Sequence, residues 1–230
     1  MTQLLLRINT PPGCQTIYRD KFREMLAKAA DGRAILPPQF FHYGEDGKPL
    51  STGEAEIRTI GSKNWVGVLS KTGNAELFDP CVGIATRVAA NHYGSPAKME
   101  VMELEYGLEA AAMPVFYNLS RAAFKRRSAK RRALSTEEII KEYLLRQLND
   151  EAERFGFDLP PDSALKIQVH HAKEMGMRLN LNTGLSNEYV SLVDANFSMY
   201  LELHGMWQIG NLQARGHGLI YRAKPGGVWS

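Results

Sequence analysis

A chain of 230 residues, 44% hydrophobic and with a formal net charge of only +3, can bury a sizeable core and excludes a generally cationic coat, so any strong positive signal must be local. Its two cysteines, Cys14 and Cys81, match no CxxC spacing, which argues against a zinc ribbon or disulfide scaffold and favours a reducing setting. No segment approaches the run of about 18 apolar residues that a membrane helix needs, and MTQLLLRINT is too short an apolar run for a signal peptide; a cytoplasmic protein without a membrane partner is expected.

In chain order, Leu4, Leu5, Leu6 and Ile8 predict a strand ended by Pro11-Pro12-Gly13. Tyr18, Phe22, Met25, Leu26 and Ala29 recur at helical spacing, and Gly32 stops that helix. Extended runs over Glu56 to Ile60 and Trp65 to Leu69, separated by a Gly61 to Asn64 turn, predict a hairpin. A second helix is signalled by Asp79 as N-cap, Pro80 at the first helical position, Val82, Ala85, Val88 and Ala89 on one face, and Gly94 at the end. Met99 to Tyr106 reads as a strand. The sum is β-α-β-β-α-β, the ferredoxin-like order.

From Leu108 to Phe157 a helical region is expected, with Pro114 as a breaker. Within it, RAAFKRRSAKRR places seven cations, Arg121, Lys125, Arg126, Arg127, Lys130, Arg131 and Arg132, in a window without an acid. On a helix these residues fall on nearly every side, unlike a solvated face opposite an apolar one, and a self-repelling cylinder of this kind calls for a polyanion around it. Ser135 and Glu138 form a capping-box pattern for a following helix that buries Ile139, Ile140, Tyr143, Leu144 and Leu148 and closes at Gly156. After Pro160-Pro161, alternation at Leu165, Ile167 and Val169, and again from Phe197 to Leu203, predicts strands. The tail HGMWQIGNLQARGHGLIYRAKPGGVWS is glycine-punctuated, leaves little room for helix, and lacks the P-loop and dinucleotide fingerprints, so no nucleotide cofactor is expected.

The fold class expected is therefore α+β: a ferredoxin-like domain over 1–107, a helical arginine-rich arm over 108–157, and a β-rich C-terminal part over 158–230 with a glycine-rich loop. This combination, carried by Arg121 to Arg132 and by QARGHGLIYRAKPGGVW, resembles the CRISPR-associated repeat-processing endoribonucleases of the RAMP superfamily. The likeness is strongest to the type IV and type I-F processors, and the length of the first domain favours type IV. The resemblance implies binding of a CRISPR repeat hairpin, metal-independent cleavage of precursor crRNA, no cofactor, and retention of the product among other effector-complex subunits. Guanidinium forks on a basic helix suit the phosphate-lined groove of an A-form stem, where base edges are poorly accessible.

Cleaving RNA without a metal requires activating a 2′-hydroxyl, stabilising a phosphorane and protonating the leaving 5′-oxygen. His42, in QFFHYGEDG, lies roughly where the resemblance places a catalytic histidine, with Tyr43 beside it; Phe40 and Phe41 are equally compatible with His42 anchoring a packed loop. The alternative is an arginine cluster: Arg23 and Arg33 in or after the first helix, with Arg222 from the tail. Arg215 and His217, in the glycine-rich loop, are candidates to contact RNA. His170 and His171, adjacent on a strand, are expected on opposite faces, and His204 in a structural role. Two rival readings remain open at this level: a noncatalytic RNA-binding subunit, and an interaction module whose basic element binds an acidic protein or single-stranded DNA.

Overall fold

The computed structural model describes residues 1–30, 36–41, 55–94, 97–125, 133–179 and 188–223. It divides into two compact units, one of 1–106 with 212–216 and one of 107–211 with 217–230.

In the first unit, β1 (Thr2–Asn9), α1 (Arg19–Ala29), β2 (Ile57–Ser62), β3 (Trp65–Ser70), α2 (Ala75–Tyr93) and β4 (Met99–Glu105) follow the predicted order. The strands form one antiparallel sheet, β2-β3-β1-β4. Leu6 and Ile8 of β1 and Val66 and Val68 of β3 meet Phe22 and Leu26 of α1 and Phe78, Ile84, Ala85 and Val88 of α2 in one core. Burial of these side chains, each of the larger ones contributing about 1.5–3 kcal/mol if fully removed from water, is what fixes both helices on the sheet. The open end of the hairpin is pinned by Glu56, whose Oε1 accepts from Ser70 Oγ at 2.6 Å and from the Thr72 amide at 2.9 Å.

Helix α2 starts earlier than Asp79-Pro80 predicted. Asn74 is the N-cap, accepting from the Leu77 amide at 3.3 Å, and Pro80 lies inside the helix. Pro80 and Glu76 are both exposed, so the carbonyl that Pro80 cannot serve faces water, which makes an interior proline tolerable. Gly94 ends the helix with φ 66°, as its position suggested.

In the second unit, β5 (Gly107–Lys125), α3 (Thr136–Phe155), β6 (Gln168–Leu179), β7 (Glu188–His204), β8 (Trp207–Gln208) and β9 (Leu219–Arg222) build a sheet of order β6-β7-β5-β9-β8. The helical expectation for the first part of this region is overturned: 107–125 is a strand, paired along β7. Val115, Tyr117 and Leu119 are buried and Phe116 between them is exposed, so the period is two. The alanines at 110–112 and 122–123 favour a helix intrinsically, but strand pairing overrides that preference. Pro114 sits in the register break between Ala110 and Val115, where no ladder amide is required.

Helix α3 matches its prediction. Ser135 Oγ accepts from the Glu138 amide at 3.2 Å, and Glu138 Oε2 accepts from the Ser135 amide at 2.7 Å. Ile139, Ile140, Tyr143, Leu144 and Leu148 are buried, and Gly156 closes the helix in the left-handed region at φ 69°. Leu165 is not in a strand, as the alternation suggested, but ends a one-turn helix, Asp162–Leu165, with its side chain buried. Among the described residues, the tail holds the short strands β8 and β9 and one 3-10 turn, Gln213–Arg215.

Candidate active site

The first unit carries a cavity of about 460 Å³ lined by Asp20, Lys21, Arg23, Glu24 and Ala27 of α1, by Phe40 and Phe41 of the 3-10 turn Pro38–Phe41, and by Arg215. Arg23 is its organising side chain. Its Nη1 donates to the Ala214 carbonyl at 3.0 Å, its Nη2 donates to the Phe40 carbonyl, and its guanidinium plane lies 4.3 Å from the Phe40 ring centroid. One arginine thus joins the first helix, the aromatic turn and the glycine-rich loop.

The loop conformation depends on backbone freedom at Gly216. Its φ is +81°, and a Cβ there would stand 2.4 Å from the Thr59 carbonyl oxygen and 2.6 Å from Arg19 Cδ. Only glycine fits without displacement. The Ala214 carbonyl also accepts from Thr59 Oγ1 at 3.2 Å, so Arg215 projects from a segment held on both sides.

Burial of the Arg23 guanidinium and, second, the nearby Arg215 charge pull Arg23 down from its ordinary value to about 10. It remains charged at neutral pH. Asp20 offsets this only weakly, and the Glu24 carboxylate is taken up by Lys28 at 2.6 Å and Lys21 at 3.1 Å. Arg215 is exposed; its amide donates to the Leu212 carbonyl at 2.9 Å, while its guanidinium makes no hydrogen bond or ion pair among the described residues. Two guanidinium groups therefore repel each other across one open cavity, an arrangement that an anion between them would relieve.

The other sequence-predicted residues distribute as follows. His42, Tyr43 and Arg33 lie outside the described residues, as do Arg126, Arg127, Lys130, Arg131 and Arg132. Arg222, on β9 of the second unit, is ion-paired with Glu202. Arg121 and Lys125, expected on a helix, end strand β5 instead. Arg121 occupies a register break with φ +47°; its amide donates to Asp194 Oδ1 at 2.7 Å and its buried Nε has no partner among the described residues. The Lys125 amide donates to Asn211 Oδ1 at 3.2 Å.

His217 does not reach outward as expected. It is 2% exposed, its Nδ1 lies 3.1 Å from the Arg121 carbonyl, and its own carbonyl accepts from Gln208 Nε2 at 3.0 Å. The flanking glycines that suggested access to RNA instead let the chain fold tightly over the ring; a Cβ at Gly218 would be 1.8 Å from the Ile209 carbonyl oxygen. His204 lies 3.1 Å from Glu109 Oε1. His170 sits at a register break in β6, so strict alternation with His171 fails, and both are exposed.

Sequence reasoning missed the two carbonyl acceptors of Arg23, since a backbone oxygen carries no residue signature. It also missed Phe41 as a cavity wall, although the Phe40-Phe41 pair beside His42 was a usable signal. Among the described residues, no group of three or more His, Cys, Asp or Glu side chains comes together to hold a metal ion, and no helix is long and apolar enough to cross a membrane.

Comparison with known proteins gives the family. The model of the family described as "Type IV CRISPR-associated endonuclease Csf5" matches residues 1–225. A solved structure, "Csf5, CRISPR-Cas type IV Cas6 crRNA endonuclease", is similar at 26% identity and a TM-score of 0.80, covering 97% of this chain and 100% of that one. Two Cas6b structures, at 15% and 14% identity with TM-scores of 0.61 and 0.55, cover 97% of this chain and 100% of theirs and share its fold. No curated protein matches. With nearly the whole chain matched by that model, this protein belongs to the type IV CRISPR-associated endonuclease family Csf5.

Proposed function

We propose that the protein binds the stem-loop of a CRISPR repeat and cuts precursor crRNA once, as a metal-independent endoribonuclease, and then stays with the product as a subunit of the effector complex. The observation that carries this reading is the convergence of Arg23 and Arg215 on one open cavity, with no carboxylate paired to Arg215 among the described residues. The Csf5 relative, described as a crRNA endonuclease, supports the substrate class.

In the proposed reaction the 2′-oxygen of the nucleotide before the cut attacks the adjacent phosphorus, the bond to the 5′-oxygen breaks, and a 2′,3′-cyclic phosphate and a 5′-hydroxyl result. Arg215 donates to the non-bridging oxygens, where negative charge accumulates. Arg23, with two of its donors committed to carbonyls, is chiefly a positioning residue: it fixes the Ala214 segment and adds its charge from behind. Arg33, His42 and Tyr43 flank the cavity walls in sequence, and His42 is the proposed acid or base, proton transfer being typically worth about 10²–10⁴-fold. Arg222 is a secondary candidate because Glu202 already neutralises it. Arg121, Lys125, Arg126, Arg127, Lys130, Arg131 and Arg132 are proposed to hold the stem through its phosphates.

The test is single-turnover cleavage of a repeat stem-loop in EDTA. One product ending in a cyclic phosphate is expected; activity that appears only on adding a divalent cation would refute the metal-independent mechanism, and stem-loop binding without cleavage under either condition would make the protein a noncatalytic RNA-binding subunit.

A further inference from the structure

The second unit exposes a sheet face that this mechanism does not use. On β5, Phe116 is 51% exposed, and Tyr221 on β9 is 45% exposed. Asn118 pairs with Tyr221 on one side and with Asn196 on the other, so Phe116, Asn118, Asn196 and Tyr221 share one face by register. The same face holds Ser198, opposite Phe116. His170 joins it directly: its ring stacks on Phe116 at 5.5 Å between centroids and 24° between planes, and its Nε2 lies 2.8 Å from Ser198 Oγ.

We infer that this face is a stacking platform for a single-stranded segment of RNA outside the hairpin, with successive bases laid on Phe116 and Tyr221 and their edges met by the Asn118–Asn196 pair. The inference rests on the proposed RNA function and adds a second contact to it. Three observations favour nucleobases as the occupant. Exposed aromatic planes on a sheet alternate with amide and hydroxyl groups rather than with aliphatic side chains, and polar groups of this kind match base edges. Phe116 and Tyr221 form a diagonal cross-strand pair, a relation that spans about 7–8 Å. That is roughly twice the 3.4 Å step of a stacked strand, as suits bases splayed apart.

The third observation is charge. Lys173 is opposite Asp194 by register, and Asp194, after burial, is the second cause raising the Tyr221 hydroxyl above its ordinary value. With Lys173 facing an acid across the ladder, this strip of the sheet carries little net charge with which to hold phosphates. Its affinity therefore depends on bases and changes little with salt, whereas phosphate-dominated binding falls steeply.

The probe is a fluorescein-labelled polyuridine 12-mer beside an abasic chain of the same length, both titrated against the full-length protein by anisotropy. The protein is expected to prefer the polyuridine by about tenfold or more. Phe116→Ala with Tyr221→Ala removes that preference, and Phe116→Tyr with Tyr221→Phe retains it, with the same salt slope throughout. Equal affinity for the two chains, an unchanged preference in the alanine pair, or loss of the preference in the conservative pair overturns the platform. If the alanine pair keeps its polyuridine preference but loses a protein partner, the face belongs to that partner and the inference fails. Aromatic-dependent preference in a protein that cannot cut the repeat supports the platform while removing the cleavage reading.

Discussion

The cavity beside α1 and the open face of the second sheet are both candidate RNA contacts, yet they are built from opposite materials. In the cavity two guanidinium groups converge, that of Arg23 held by backbone carbonyls and an aromatic ring. On the sheet, aromatic planes and amides stand beside a lysine matched by an aspartate. The first arrangement suits a phosphate and the second suits bases, so the proposed cutting site and the proposed single-strand platform rest on different chemistry. The contrast also explains why Arg23 and Arg222, equivalent as candidates in the sequence, differ in the fold: only Arg23 meets another cation, while Arg222 is met by Glu202.

Charge reversal at the cavity is the hardest test of this division. Arg215→Glu should lower the single-turnover cleavage rate by about 10²–10³-fold, the range for losing one transition-state donor, and leave the polyuridine preference intact; a near-normal rate would break the comparison on the cavity side. Replacing Arg126, Arg127, Arg131 and Arg132 together should reduce stem-loop affinity by about 10²-fold or more and flatten its salt slope by roughly four counterions' worth. Titrations at two or more salt concentrations check it. His42→Ala should slow cleavage by about 10²-fold with unchanged affinity, and full activity in that variant would move the proton-transfer role elsewhere. Gly216→Ala should cost about 1–3 kcal/mol of stability, read from denaturant midpoints, and should slow cleavage more than it weakens binding, because the strained loop carries Arg215. The smallest effect is the control: Ser135→Ala removes the α3 cap, costs about 1 kcal/mol, and should leave both contacts alone.

The parts of this fold that could be read in advance were those specified locally. The β-α-β-β-α-β order followed from hydrophobic period and punctuation, and the α3 capping box and five of its seven buried positions followed from Ser135, Glu138 and helical spacing. Strand β5 was misread because its alanines argue for a helix, although Val115, Tyr117 and Leu119 already alternated at period two. Asp79-Pro80 carries a stronger local start signal than Asn74, yet Asn74 caps α2 and Pro80 lies within it. The cavity was only half legible. The arginines could be nominated, but their meeting depends on a loop far along the chain returning to α1, and no local pattern encodes that return. His217 shows the same limit in reverse, since glycines that free the backbone also allow it to close over a ring.

The excursion of Leu212–Gly216 into the first unit has a consequence for how the protein becomes active. Residues 1–106 contain the helices and sheet of a ferredoxin-like unit, but α1 acquires the Ala214 carbonyl and the second cation only after residues 107–211 have been made. The cavity is completed by contacts of very large sequence separation, the kind that form late. A chain made only as far as β4 therefore lacks the Ala214 carbonyl and Arg215, leaving Arg23 with one of its two carbonyl anchors missing and the cavity wall incomplete.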